Sequence, residues 1–391
     1  MNIPKCASAV LCTLLAAAAA PPTFAAEALK IGLVLPMSGP FAGYGRQIED
    51  GVRLYLKVNG DTVAGRKVEL LVKDDTGVAP EISKRVAQEL VVSDNVDILA
   101  GFGLTPSAFA VAPIATEAKK PMVVLNAATS AVTTKSDYIV RTSMALPQVT
   151  APVASWAAKN GIRKVFTVVA DYGPGHDAEA QFKKTFEAAG GEVVGEVRSP
   201  VKNPDFAPYL QKVKDARPDA VFLFVPAGEQ GVAFMKGFAE RGLEKAGIKL
   251  IATGDLTAET VIDAIGEPGL GVITSFHYAE SHDSPENKAF THAWYQAYGP
   301  DRPDFMAVAG YDGMHLIAEA LKKTGGSADA DKFIAAVKGM QWVSPRGPVS
   351  IDPTTRDIVQ TVYIRKVEKV GGRYQNVEFD RVPDFRDPGK P

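Results

Sequence analysis

The chain holds only two cysteines in 391 residues, Cys6 and Cys12, and both fall in an apolar run near the amino terminus. Everything beyond that run lacks thiols, which excludes disulfide staples, thiol nucleophiles, zinc ribbons and iron–sulfur clusters there. Stability has to come from core burial, and the length allows it. One-sided charge is missing too: 43 Lys and Arg stand against 45 Asp and Glu, a formal net charge of −2 with no basic tail. Such a balance excludes phosphate-rich partners, so neither nucleic acid nor an anionic membrane surface is expected. Hydrolase signatures are also absent. No Gly-x-Ser-x-Gly elbow or His-Glu-x-x-His helix occurs. Gly101-Phe102-Gly103 begins like a dinucleotide loop, but Pro106 stands where its last glycine belongs. His277, Glu280, His282 and Asp283 lie close together and read as a polar connection rather than a metal site. No enzymatic activity, metal or cofactor is expected.

What is present begins with a leader. Lys5 supplies a positive start, Cys6 to Ala20 is apolar, and Thr23-Phe24-Ala25 or Ala26-Glu27-Ala28 offers small residues for cleavage. The run is shorter than the roughly 20 residues of a spanning helix, and no later segment reaches that length. Residues 1–28 are read as a signal peptide that exports the chain to the periplasm, with no membrane span in the mature part. Lys5 and Leu11 precede the cysteines where a lipoprotein signal needs small residues. The remainder fits two domains of moderate size.

Short apolar runs without polar alternation recur at Leu29–Pro36, Val68–Lys73, Val96–Ala100, Met122–Leu125, Val165–Ala170, Ala220–Val225, Leu250–Ala252 and Gly271–Phe276. Strands of parallel sheets, buried on both faces, have this character. Between them apolar residues take helical spacing, as at Ile48, Val52, Tyr55 and Leu56 or Val232, Met235 and Phe238. The alternation predicts an α/β fold of two doubly wound units. Helices are expected over Glu286–Tyr298, Met306–Thr324 and Asp331–Lys338, and then strands Val359–Val370 and Tyr374–Phe379 around the turn Gly371-Gly372. Thr105 before Pro106 has the form of an N-cap followed by proline at the first helical position.

The string IGLVLPMSGPFAGYGRQIEDGVRLYL, followed in order by Lys73-Asp74-Asp75, Ala100–Ser107, Leu125–Ser130 and Val169–Gly173, resembles the periplasmic leucine/isoleucine/valine-binding family of ABC-importer solute receptors. That resemblance implies two Rossmann-like lobes joined by three crossover strands, the type I periplasmic binding protein fold, with ligand trapped between them. Lobe one would hold 29–142 plus 278–345, and lobe two 143–277 plus 346–391. A membrane permease is the implied partner. Carried onto this chain, the resemblance makes Thr105, Ala128 and Thr129 the carboxylate cradle, since a helix amino terminus with free N–H groups and hydroxyls suits an anion. Tyr44 would close over the ligand, and Tyr172 would meet it from lobe two. Asp255 would pair with an α-ammonium. Thr105 and Asp255 can also be read as plain helix caps, and both tyrosines as loop packing.

Two departures bear on the ligand. Phe224-Val225-Pro226-Ala227 stands where branched-chain receptors of the family place tyrosines, and Leu104 replaces a cysteine that is paired in some members. The expected ligand is a small carboxylate, an amino acid of branched-chain type. The alternatives are an aromatic or 2-keto acid without an amine, walled by Phe102, Phe224, Phe276 and Phe305, or a ligand-sensing rather than a transport role.

Overall fold

The computed structural model describes Met1 and residues 27–390. The leader expected over 1–28, with Cys6 and Cys12, falls almost wholly outside the described residues. Strands β1 (Leu29–Leu35), β2 (Thr62–Val63), β3 (Arg66–Asp74), β4 (Ile98–Gly101), β5 (Met122–Val124) and β6 (Ile139–Arg141) form one sheet in the order β2-β3-β1-β4-β5-β6. Apart from the short β2–β3 hairpin its pairings are parallel. Helices α1 (Ala42–Asn59), α2 (Pro80–Val92) and α3 (Thr105–Glu117) make the crossovers.

The second sheet takes β7 (Lys164–Ala170), β8 (Glu192–Ser199), β9 (Ala220–Phe224), β10 (Lys249–Thr253) and β11 (Ile273–Phe276) as parallel strands. Helices α4 (Leu146–Lys159), α5 (Gly173–Ala188), α6 (Ala207–Ala216), α7 (Glu229–Glu240) and the single turn α8 (Ile262–Ile265) cover it. The chain then returns to the first sheet through α9 (Pro285–Tyr298), α10 (Phe305–Lys323) and α11 (Ala330–Val337). Helix α10 lies against α1 at a glycine crossing. A Cβ on Gly51 would overlap Ala307 O, and one on Gly310 would overlap Ile48 O, so side chains at either position would force the helices apart.

Finally β12 (Gln341–Ser344), β13 (Gly347–Ile351), β14 (Ile358–Val370) and β15 (Arg373–Phe385) extend the second sheet as antiparallel strands beside β11. The chain thus passes between the sheets three times, after Arg141, after Phe276 and after Val337. Gln341–Ser344, assigned to lobe one in the sequence reading, pairs with β13 on the second sheet.

Each sheet is sealed by Val, Ile, Leu and Phe; β4, β5 and β9 are buried along their whole length. Among the described residues no helix is long and apolar enough to cross a membrane.

Candidate functional site

Parallel strands deliver their loops to one edge, and the carboxyl edges of the two sheets face each other. From the first sheet come the amino-terminal turn of α1, the loop after β4 with the start of α3, and the loop Leu125–Ser130 after β5. From the second come the turn after β7 at the start of α5, the segment Val225–Gly228 after β9, and the 3₁₀ turn Gly254–Thr257 after β10. Where these meet, Tyr44, Thr105, Ala128, Tyr172, Phe224 and Asp255 line one small space, with Asn126, Met144 and Leu146 among the rest of its wall. Five of the six residues expected to bind ligand are therefore together, along with one expected wall residue. The sixth, Thr129, stands beside the cavity, and its Oγ1 lies 3.1 Å from Thr105 Oγ1.

Tyr44 is not in a loop but in the first turn of α1. Its ring packs edge-on to Phe41, and its hydroxyl donates to Ala227 O at 3.1 Å, so it spans from one sheet's loops to the other's. Thr105 is not a cap. Leu104 occupies the N-cap position with extended backbone, Thr105 is the first helical residue and Pro106 the second. The Thr105 hydroxyl is consequently free to turn to Thr129, whose N–H lies 3.4 Å from it. Tyr172 is the N-cap residue of α5, and its ring stacks on Phe224 with centroids 6.1 Å apart and planes 15° apart.

Asp255 is buried within the 3₁₀ turn, and its Oδ2 accepts from Thr253 Oγ1 at 2.8 Å. Burial pushes its carboxyl up to about 6, against lowering by the Thr253 hydroxyl, its own backbone N–H and the distant Arg365 charge. Burial also raises the Tyr44 and Tyr172 phenols well above their usual range, reinforced at both by the Asp255 charge and at Tyr44 by Tyr172 and Asp304 as well. Both tyrosines are neutral donors at physiological pH. Asn126 donates to Gly103 O at 2.7 Å, which leaves its Oδ1 buried and unpartnered beside the cavity. The sequence pointed to this loop but not to that oxygen.

Three expected wall residues lie elsewhere. Phe102 takes a left-handed backbone, φ 66°, which turns its ring into the core shared with Val34 and Val111. Phe276 and Phe305 pack edge to face at 4.7 Å, with the Arg365 guanidinium 5.2 Å from the Phe276 centroid. The polar group at 277–283 disperses to separate partners: His282 to Glu378, Glu280 to Arg302 and Asp283 to Lys288, while His277 is wholly buried.

The small space measures about 20 Å³. That is room for about one water and far below the ~300–1,000 Å³ of an ordinary ligand pocket. Larger clefts of about 390 and 560 Å³ flank it, each lined by residues of both sheets. A space of about 20 Å³ admits a ring or an amino acid only if the two halves move apart along this line. A two-sided site opened by a hinge is what the geometry can provide.

Comparison with known proteins agrees with this geometry. The sequence profile of a family described as periplasmic binding protein matches residues 28–372. The chain belongs to the periplasmic binding protein family. Among relatives of this periplasmic binding protein, Leu/Ile/Val-binding protein homolog 6 of Brucella melitensis biotype 1 is 48% identical over 366 residues, 93% of this chain and 94% of the relative. A solute binding protein of an ABC transporter from Rhodopseudomonas palustris BisB5, solved in complex with 3,4-dihydroxybenzoic acid, is 55% identical with a TM-score of 0.90, covering 93% of this chain and 99% of that one. A solute binding protein from Rhodopseudomonas palustris in complex with 4-hydroxybenzoate is 48% identical, also with a TM-score of 0.90 and the same coverage. The fold expected from the sequence, two α/β lobes of the type I kind, is the fold these proteins share with the chain.

Proposed function

We propose that the chain is the periplasmic receptor of an ABC importer and captures a hydroxylated aromatic carboxylate by hinged closure, delivering it to a membrane permease. The signal-like leader in the sequence supports export. Lobe one would comprise 29–142 and 278–340, and lobe two 143–277 and 341–390. Ligand favours the closed state because both lobes touch it only there.

The observation that carries the aromatic reading is the lobe-two wall. Stacked Tyr172 and Phe224 rings present a flat apolar face beside one buried acid. In this arrangement Thr105, Ala128 and Thr129 take the carboxylate, the ring lies against Tyr172 and Phe224 under Tyr44, and a ring hydroxyl donates to Asp255. Burying an aromatic ring of ~150–250 Å² contributes roughly 4–6 kcal/mol at ~25 cal/mol per Å². Micromolar affinity needs a net of about 8 kcal/mol after the cost of association, so ring burial is a large favourable contribution that the polar contacts must supplement. An α-amino acid without a ring must replace that term with an ammonium bound to Asp255. One oxygen of Asp255 already accepts from Thr253. The branched-chain expectation from the sequence is the second reading, and it rests on the relatives named as Leu/Ile/Val-binding.

A thermal-shift panel of branched-chain amino acids, aromatic amino acids, hydroxybenzoates and 2-keto acids tests the proposal. A ligand at one hundred times its Kd stabilises by about 2.7 kcal/mol. Hydroxybenzoates are expected to shift the melting temperature, and a shift confined to ligands bearing an α-amine would refute the aromatic reading.

A further inference from the structure

Beneath the loop Asn126–Ser130 lies an arginine that no sequence motif marks. Arg141 ends β6 and is wholly buried. Its Nη1 donates to two carbonyls of the loop, Ala127 O at 3.1 Å and Thr129 O at 2.8 Å. The carbonyl between them, Ala128 O, accepts from Leu146 N at 2.9 Å. All three loop carbonyls are thus held by partners within the protein. In a trans peptide the C=O and the following N–H point in opposite directions. Drawing Ala127 O onto Arg141 therefore turns the Ala128 N–H away from Arg141, and Ala128 lines the cavity. Drawing Thr129 O the same way turns the Ser130 N–H outward, and it donates to Asp177 Oδ2 of α5 at 2.9 Å. One guanidinium thus sets the direction of two alternate N–H groups, of which that of Ser130 is taken by Asp177.

The guanidinium is itself seated. Its Nε donates to Asp357 Oδ1 at 2.6 Å, and its Nη2 lies 3.8 Å from Asp387 Oδ2. Asp357 also accepts from Thr133 Oγ1 at 3.3 Å and from Lys390 Nζ, which reaches Thr133 as well. Asp387 and Lys390 belong to the segment after β15, which leaves the second sheet and runs under the loop. There Gly389 lies so close to Ser130 that a Cβ would overlap the serine hydroxyl. Two cations, Arg141 and Lys390, face Asp357 and Asp387, and Asp177 adds a third carboxyl at the same loop, so the cluster carries no excess positive charge. Its influence on a ligand is through the aim of N–H groups rather than raw charge.

We propose that Arg141, seated by Asp357 and the carboxy-terminal segment 386–390, is the positioning residue of the carboxylate cradle, and that docking of the chain's own terminus under the loop tunes affinity for anionic ligands. This rests on the receptor reading above. A lysine at 141 keeps the charge but lacks the planar fork that grips two carbonyls.

The test is calorimetric titration of 4-hydroxybenzoate and 4-hydroxybenzamide into the unsubstituted protein, Arg141→Lys, and a chain ending at Phe385. The two probes share ring and phenol and differ at the group the cradle receives, where hydrogen bonds to an anion are about twice as strong as neutral ones. Arg141→Lys is expected to weaken the acid about tenfold and the amide about twofold, and the shortened chain to move the same ratio by less. A role limited to stability would lower the melting temperature and leave the acid-to-amide ratio unchanged. That result in both variants would overturn the inference, and if Arg141→Lys does not fold, the shortened chain decides. If the unsubstituted protein prefers neither probe, the carboxylate reading itself fails and takes this inference with it.

Discussion

Asp255→Asn separates the two ligand classes by the sign of a pH dependence. In an open cleft the Asp255 carboxyl should titrate near its ordinary 3.8, and in the closed cavity burial moves it to about 6. The closed pKa of this acid lies above the open one, so ionisation opposes closure. Closure is easiest below the open value and becomes harder as pH rises to the closed one. Two units correspond to about 3 kcal/mol once the group is fully ionised. For a ligand that sets no donor against Asp255, such as benzoate, affinity should therefore fall about tenfold between pH 5 and pH 7 and then level off, whereas a ring hydroxyl donating to the ionised carboxylate flattens the slope. An α-ammonium facing Asp255 would lower the closed pKa, and affinity would stay flat or rise over the same range. Asparagine at 255 removes the titration, so the slope should vanish. At pH 7 relief of about 3 kcal/mol offsets the loss of a charge-assisted hydrogen bond worth about 1.5–3 kcal/mol, and hydroxybenzoate affinity should change by less than about tenfold. An amino-acid ligand would instead lose about 2–5 kcal/mol, because its ammonium would be buried unpaired. Calorimetry with benzoate at pH 5, 6 and 7 on both proteins is the assay. Asp304 at the cleft mouth, raised to about 7 by burial and by Glu259, titrates in part of the same window. The difference between the two proteins isolates Asp255. A flat profile in the unsubstituted protein would refute the reasoning.

Two further substitutions probe closure. Gly173→Ala would place a Cβ 2.5 Å from Thr129 Oγ1, wedging the start of α5 against the first-sheet loop. Small-angle scattering should then show the protein remaining extended with saturating 4-hydroxybenzoate while its circular dichroism is unchanged, and normal compaction would contradict the closure geometry. Tyr44→Phe deletes the hydrogen bond to Ala227 O while keeping the ring over the ligand. The expected cost is about 0.5–1.5 kcal/mol, seen as a several-fold faster dissociation rate in stopped-flow; an unchanged rate would remove Tyr44 from the closing contact.

The sequence was most legible where physics is local. Parallel strands buried on both faces read as unbroken apolar runs, and β1, β4, β5, β7, β9, β10 and β11 all fall within one or two residues of such runs. Strand β8 escaped because it is an edge strand whose exposed and half-buried residues, such as Glu192, Glu196 and Arg198, break the apolar pattern. Strands β2 and β6 are too short to show a period, and β12 and β13 are edge additions defined by pairing rather than composition. At the site, the glycine and hydroxyl loops marked themselves. Tyr172 and Asp255 became candidates only through the resemblance, because their burial arises when two distant halves meet. Phe224 could not be told from Phe102 and Phe276 by type, since all three end or follow buried strands. A left-handed backbone sets Phe102 apart and packing against Phe305 and Arg365 sets Phe276 apart, and a sequence displays neither. Arg141 left no local trace: its partner Asp357 lies 216 residues away.

The central claim is that the cleft takes a hydroxylated aromatic carboxylate in preference to a branched-chain amino acid. Calorimetric titration of the protein with 4-hydroxybenzoate, repeated in the presence of excess leucine, measures that preference directly. Stoichiometric binding of 4-hydroxybenzoate that leucine leaves unaltered is the predicted result. Tight binding of leucine with no heat from 4-hydroxybenzoate would contradict the account.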